Sequence, residues 1–134
     1  MKILVIGSGG REHALVWKLQ QCSTVGRIYC APGNPGMAQL GECVPLKVDQ
    51  MMELRDFALE KQIDLTVVGP EVPLTAGIVD EFRQVGLQII GPDKLGAQLE
   101  GSKSFAKDFM MKYRIPTARY EKTASREEAW QMLE

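Results

Sequence analysis

Net charge is almost absent from this chain of 134 residues: sixteen Lys and Arg stand against seventeen Asp and Glu, leaving −1 at neutral pH. No global field therefore draws the chain to nucleic acid or to an anionic membrane, and any recognition of phosphate has to be local. Cysteine is scarce as well. Cys22, Cys30 and Cys43 are odd in number and lack C-x-x-C or any other metal spacing, so free buried thiols in a reducing compartment are expected. His13 is the single histidine. No apolar run approaches the ~20 residues that span a bilayer. The N-terminus has one lysine and a short apolar run, without the longer apolar region and small-residue cleavage site of a signal peptide. The expectation is a cytoplasmic protein with neither membrane nor nucleic-acid partner. Internal repeats and low-complexity segments are missing too.

What remains is an ordinary globular composition, 45% hydrophobic and 25% charged, in a length suited to one core and the start of a second. Three apolar runs, Ile3–Ile6, Leu65–Val68 and Leu87–Ile90, are each followed at once by glycine, at Gly7, Gly69 and Gly91. Continuous hydrophobicity over so few residues marks strands buried on both faces, as in a parallel sheet. Arg27–Cys30 and Cys43–Val48 are weaker strand candidates. Helical patterns fall between them at Arg11–Cys22, Gln50–Lys61 and Thr75–Val85, with Leu15, Leu19 and Cys22 on one stripe of the first. The alternation predicts an α/β fold: an open parallel sheet with helices on both faces, joined by right-handed crossovers.

In that architecture ligands bind beyond the carboxyl ends of the strands, where the segments GSGG, APGNPG, GPEVPL and GPD fall as loops. In Gly7-Ser8-Gly9-Gly10 the missing β-carbons let backbone N–H groups crowd an anion, and the following helix adds its partial positive charge. Arg11 offers a charge-assisted bond to phosphate, or is a surface cation. The dinucleotide pattern G-x-G-x-x-G needs glycine at position 12, where this chain has Glu12, and an acidic residue after the second strand, where it has Ala31-Pro32-Gly33. Glu12 reads as charge compensation at a helix N-terminus. His13 is a ligand contact or a structural histidine, and no catalytic role falls to it. Asn34 and Gly36 suit closure over a sugar or phosphate. Glu71, stiffened by Pro70 and Pro73, suits ribose hydroxyls or an amine.

After Gly91 the character changes. A short helix at Asp93–Leu99 breaks at Gly101-Ser102, and a second, Lys103–Tyr113, carries Phe105, Phe109 and Tyr113 as a core-packing stripe. Thr117–Thr123 has strand composition. Ser125 and Glu128 match a capping box, with Glu128 reaching back to Ser125. The helix they open is still running at Glu134, so a fragment of a longer protein is expected.

Taken together, GSGGREHAL at 7–15, APGNPG at 31–36, VVGPEVPLTAGIVD at 67–80, GPDKLGAQLEGSKSFAKDFM at 91–110 and IPTARY at 115–120 closely resemble the phosphoribosylamine–glycine ligase family. Its members, also called glycinamide ribonucleotide synthetases, are similar to other ATP-grasp ligases. The resemblance implies a Rossmann-like pre-ATP-grasp domain over 1–101 and the truncated start of an ATP-grasp domain over 102–134. It implies an ATP-dependent carbon–nitrogen ligase of purine biosynthesis, which joins glycine to 5-phosphoribosylamine through glycyl phosphate and uses Mg2+ or Mn2+. By motif, Ser8, Gly9, Gly10 and Arg11, with Asn34, Gly36 and Glu71, would bind phosphoribosylamine, and Lys103 or Lys107 the ATP phosphates. Catalytic and metal-holding residues would lie beyond residue 134, leaving the 134 residues inactive alone, and a monomer is favoured. The competing readings are an NAD(P)-binding Rossmann domain of an oxidoreductase and a non-catalytic nucleotide-binding module.

Overall fold

The computed structural model describes residues 1–133. It divides into two compact units, Met1–Ala97 and the residues from Gln98 onward, which are taken separately below.

The first unit is built on five parallel strands: β1 (Lys2–Gly7), β2 (Arg27–Pro32), β3 (Glu42–Cys43), β4 (Leu65–Val68) and β5 (Ile89–Ile90). Their order is β3-β2-β1-β4-β5, and every neighbouring pair is parallel. Ile3 to Ile6 are at most 2% exposed, because the sheet is covered on both faces. Leu4, Ile6, Tyr29 and Ala31 face one core, with Leu54 and Ala58 of α2 (Met51–Lys61) and Ile78 and Phe82 of α4 (Ile78–Gln84). Ile3, Val5, Ile28 and Cys30 face the other, with Val16 of α1 (Gly10–Gln20) and Met37 of a short 3-10 helix, Met37–Gln39. One face or the other alternates residue by residue, as the strand period of two requires.

Several elements differ from the sequence expectation. The helix predicted at Thr75–Val85 is two helices, α3 (Glu71–Ala76) and α4. They part at Gly77, whose φ of +104° ends α3 in a left-handed residue with N–H bonds back to Pro73 and Leu74. GPEVPL, expected as a loop, thus opens α3; Pro73 sits in its first turn, where the missing N–H has no helical partner to lose. The strand predicted at Cys43–Val48 keeps only Cys43, since Pro45 has no N–H for a ladder. Leu87–Ile90 narrows to β5. The expectation of buried thiols holds for Cys30 alone; Cys22 and Cys43 are exposed, since Cys22 lies past the end of α1 and Cys43 on an edge strand.

From Gln98 onward come the end of α5 (Lys94–Gly101), α6 (Lys103–Lys112) and α7 (Arg126–Leu133). Ser102 caps α6, its Oγ accepting from Phe105 N at 3.3 Å. Thr117–Thr123 forms no strand, for it has no ladder partner among the described residues and is held to α6 by side chains instead. The stripe of Phe105, Phe109 and Tyr113 is not core: the first two are half-buried and Tyr113 is 56% exposed, with no second layer among the described residues of this unit to cover them. Ser125 Oγ accepts from Glu128 N at 3.1 Å, but the Glu128 carboxylate accepts from Ala124 N, at 2.7 Å, rather than from Ser125. The expected continuation of α7 at Glu134 lies outside the described residues.

Candidate functional site

The strand order makes a topological switch point. From β1 the chain moves outward through β2 and β3, then returns to the far side of β1 to place β4 and β5. Connections leaving β1 and β4 depart to opposite faces of the sheet and open a crevice between their carboxyl ends. Gly7-Ser8-Gly9-Gly10 and Gly69-Pro70-Glu71 form its two lips, and Gly69 N donates to Ile6 O at 3.0 Å.

The first lip is an anion-ready turn. Among the described residues, the backbone amides of Ser8, Gly10 and Arg11 donate to no protein acceptor, and the 11-residue α1 begins at Gly10. Ser8, Gly9, Gly10 and Arg11 are all exposed. Undonated amides at a helix N-terminus attract an anion by direct bonds and by the aligned peptide dipoles. Gly9 is different: its N–H is already given to Glu12 Oε2 at 2.6 Å. Gly9 thus serves the turn by lacking a side chain rather than by offering its amide.

Asn34 and Gly36 are brought to the same edge. Asn34 Nδ2 donates to Ser8 O at 2.9 Å, and its Oδ1 accepts from Gly36 N and Met37 N, each at 2.9 Å. The carbonyl of the Asn34 side chain and the amide of Gly36 are therefore committed to the loop itself. His13 packs its ring against Gly36, where a β-carbon would collide with it; this close approach gives the histidine a structural part. Glu71 is exposed in the first turn of α3. The Thr75 hydroxyl donates to its carbonyl at 3.0 Å.

The residue that sequence reasoning undervalued is Glu12. It is 4% exposed and lies in the crevice, where a β-carbon on Gly7 would stand 2.5 Å from its Cγ and one on Gly69 would overlap its Oε1. The signal was legible: a glutamate three residues after the N-cap glycine is placed to reach back to that residue's N–H.

The second unit holds the two predicted lysines in a cleft of about 390 Å³ lined by Lys103, Ser104, Lys107, Tyr120, Glu121, Lys122 and Thr123. Lys107 Nζ is engaged, donating to Thr117 Oγ1 at 2.6 Å and to Ala118 O at 3.1 Å. Lys103 is exposed, with no hydrogen bond from its Nζ among the described residues. Asp108 accepts from Tyr120 Oη at 3.0 Å and pairs with Lys122. Lys122, then Tyr120, hold its carboxyl below the usual carboxylate range. Among the described residues no group of three or more His, Cys, Asp or Glu is placed to hold a metal ion.

A family model described as "Phosphoribosylglycinamide synthetase, N domain" matches residues 1–100. The chain belongs to this family. Phosphoribosylamine–glycine ligase of Caldanaerobacter subterraneus subsp. tengcongensis is 55% identical over 133 residues, covering 99% of this chain and 32% of the relative. That of Clostridium acetobutylicum is 57% identical over the same length and coverage. The chain therefore spans about a third of the curated relatives it matches. A crystal structure of phosphoribosylamine–glycine ligase from Thermotoga maritima superposes with a TM-score of 0.70 at 30% identity, covering 99% of this chain and 30% of that one. The open parallel α/β fold expected from the sequence is the fold of this synthetase N domain.

Proposed function

We propose that this chain is the N-terminal part of a phosphoribosylamine–glycine ligase and that its switch-point crevice binds 5-phosphoribosylamine. The complete protein would join glycine to that amine with ATP, giving glycinamide ribonucleotide, ADP and phosphate in purine biosynthesis. A carboxylate is a poor electrophile; transfer of the ATP γ-phosphoryl group to glycine makes glycyl phosphate, from which the amine displaces phosphate. The observation that carries the reading is the set of undonated amides of Ser8, Gly10 and Arg11 at the start of α1, in a chain of this family.

Within this reading residues 1–101 form the substrate-binding domain and 102–134 open the ATP-grasp domain. The phosphate of phosphoribosylamine lies on Ser8, Gly10 and Arg11, Asn34 and Gly36 brace the turn, and Glu71 faces the ribose or amine. Lys103 is the better candidate for the ATP phosphates, because Lys107 is tied to Thr117 and Ala118. Mg2+ or Mn2+ would neutralise charge during phosphoryl transfer, held by residues beyond 134. The protein is proposed to work in the cytoplasm as a monomer; no helix among the described residues is long and apolar enough to cross a membrane.

Gly10→Pro tests the reading. Position 10 opens α1, Gly9 before it is extended at φ −83° and ψ 178°, and a β-carbon there meets nothing within 4 Å, so proline deletes one N–H and leaves the helix intact. Calorimetry with glycinamide ribonucleotide should show one site on the parent chain. Loss of one charge-assisted bond should weaken the variant about tenfold or more. Absence of heat on the parent chain at millimolar ligand overturns the assignment.

A further inference from the structure

The switch-point crevice carries a negative group at its base. Glu12 is buried to 4% exposure, and its carboxylate reaches both lips. Oε2 accepts from Gly9 N at 2.6 Å, and the rest of the side chain occupies the space that β-carbons on Gly7 and Gly69 would need. β1 and β4 are hydrogen-bonded at this level through Gly69 N and Ile6 O. One side chain therefore sets the separation of the turn after β1 from the turn after β4, and so the offset of Ser8 and Gly10 from Glu71. A carboxylate taken out of water is tolerated only where it is hydrogen-bonded and near positive charge; here the Gly9 N–H and the N-terminal end of α1 supply both.

This is also position 12, the third glycine of a dinucleotide-binding turn, where the absent side chain lets helix and strand close together beneath a bridging diphosphate. Glu12 reverses each part of that arrangement. It fills the space, takes one of the amides and puts a negative charge beside the anion position. A single phosphate sits outside the carboxylate, on Ser8, Gly10 and Arg11. A second phosphate extending along the crevice meets like charge in a partly desolvated place, where repulsion is strong.

Resting on the reading of the crevice as a sugar-phosphate site, we infer that Glu12 is its specificity-determining positioning residue, clamping the two lips and restricting the turn to a phosphomonoester. Its role is separable from that of the amides that touch ligand, because it acts through Gly9 and Gly69.

The test compares the parent chain with Glu12→Gln, which keeps shape and an acceptor for Gly9 N while removing charge, and with Glu12→Ala, which removes both. Ribose 5-phosphate and ribose 5-diphosphate are the probes, and hydrogen exchange of the Gly9 amide by NMR is the ligand-free readout. The parent should prefer the monophosphate at least tenfold. Glu12→Gln should keep Gly9 exchange within threefold of the parent and lose at least fivefold of that preference. Glu12→Ala should speed Gly9 exchange at least tenfold. An unchanged preference in Glu12→Gln overturns the specificity role, and unchanged Gly9 exchange in Glu12→Ala overturns the clamp. If Glu12→Ala does not fold, Glu12→Leu, which keeps the bulk but offers no oxygen acceptor to Gly9 N, takes its place, and unchanged Gly9 exchange in it overturns the clamp. A parent chain that binds neither probe overturns the sugar-phosphate reading and the selectivity resting on it, while Gly9 exchange still decides whether Glu12 clamps the lips.

Discussion

Asn34 and Ser8 are joined across two loops: the Asn34 side-chain amide donates to the Ser8 carbonyl at 2.9 Å while its own carbonyl accepts from Gly36 and Met37. One side chain thus fixes the turn after β2 on the turn after β1.

Asn34→Ala leaves two backbone amides without their acceptor and frees the β1 turn. The expected loss is about 1–2 kcal/mol of stability, within the usual range for a part-buried hydrogen-bond group, read as a lower urea midpoint at unchanged slope. Affinity for glycinamide ribonucleotide should fall as well, although Asn34 keeps little free capacity to touch ligand. A variant as stable as the parent would show that Gly36 and Met37 find water without cost.

Phe82 is fully buried beneath the sheet. Phe82→Ala should cost about 3–5 kcal/mol, the transfer term plus the cavity left behind. Thermal unfolding of the chain checks it, and a change below about 1 kcal/mol would mean that α4 collapses into the gap.

The three thiols should separate in alkylation. Burial, with Cys43 beside it, pushes the Cys30 thiol up to about 12, so at pH 8 it is both inaccessible and protonated. Cys22 is exposed, and its hydrogen bond with Thr24 holds its thiol below the usual value. Iodoacetamide should label Cys22 and Cys43 in the folded chain and Cys30 only after denaturation, as peptide mass spectrometry will read. Early labelling of Cys30 would mean that β2 opens readily.

Asp108 gives a pH signature. Its carboxyl is held below the ordinary 3.8 by Lys122 and Tyr120, so its native contacts favour the ionised form. Their contribution is complete above the unfolded value and is lost as the pH falls below it through the lower native one. An NMR titration should place the Asp108 carboxyl below 3.8, and Asp108→Asn should remove that acid-side change around Tyr120. A midpoint above 3.8 would contradict the pairing.

Much of the first unit was legible because burial on both faces leaves a strong signature. Ile3–Ile6 is an unbroken apolar run and Leu65–Val68 one interrupted only by Thr66, each ending at glycine, and each is a strand whose carboxyl end reaches the crevice. Gly77 was not legible as a break: a single glycine within a helical pattern is ordinarily tolerated, and only the left-handed φ parts α3 from α4. Thr117–Thr123 misled for another reason. Strand propensity describes fit to a pleated neighbour, and none pairs with this segment among the described residues. Ser8, Gly10, Asn34 and Gly36 were placed at one edge by topology, but the direction of Glu12 depends on Gly7, Gly9 and Gly69 together, and Gly69, far from the other two along the chain, is brought beside Glu12 only by the pairing of β1 with β4.

Both outer strands of the sheet, β3 and β5, are two residues long, and β3 carries Glu42 paired with Arg27 at 2.5 Å. A foreign strand seeking to extend the sheet finds room for scarcely more than one ladder step on either side, and on one side it meets a charged pair. The architecture that concentrates loops for ligand at one end of the strands thereby also discourages self-association along its flanks.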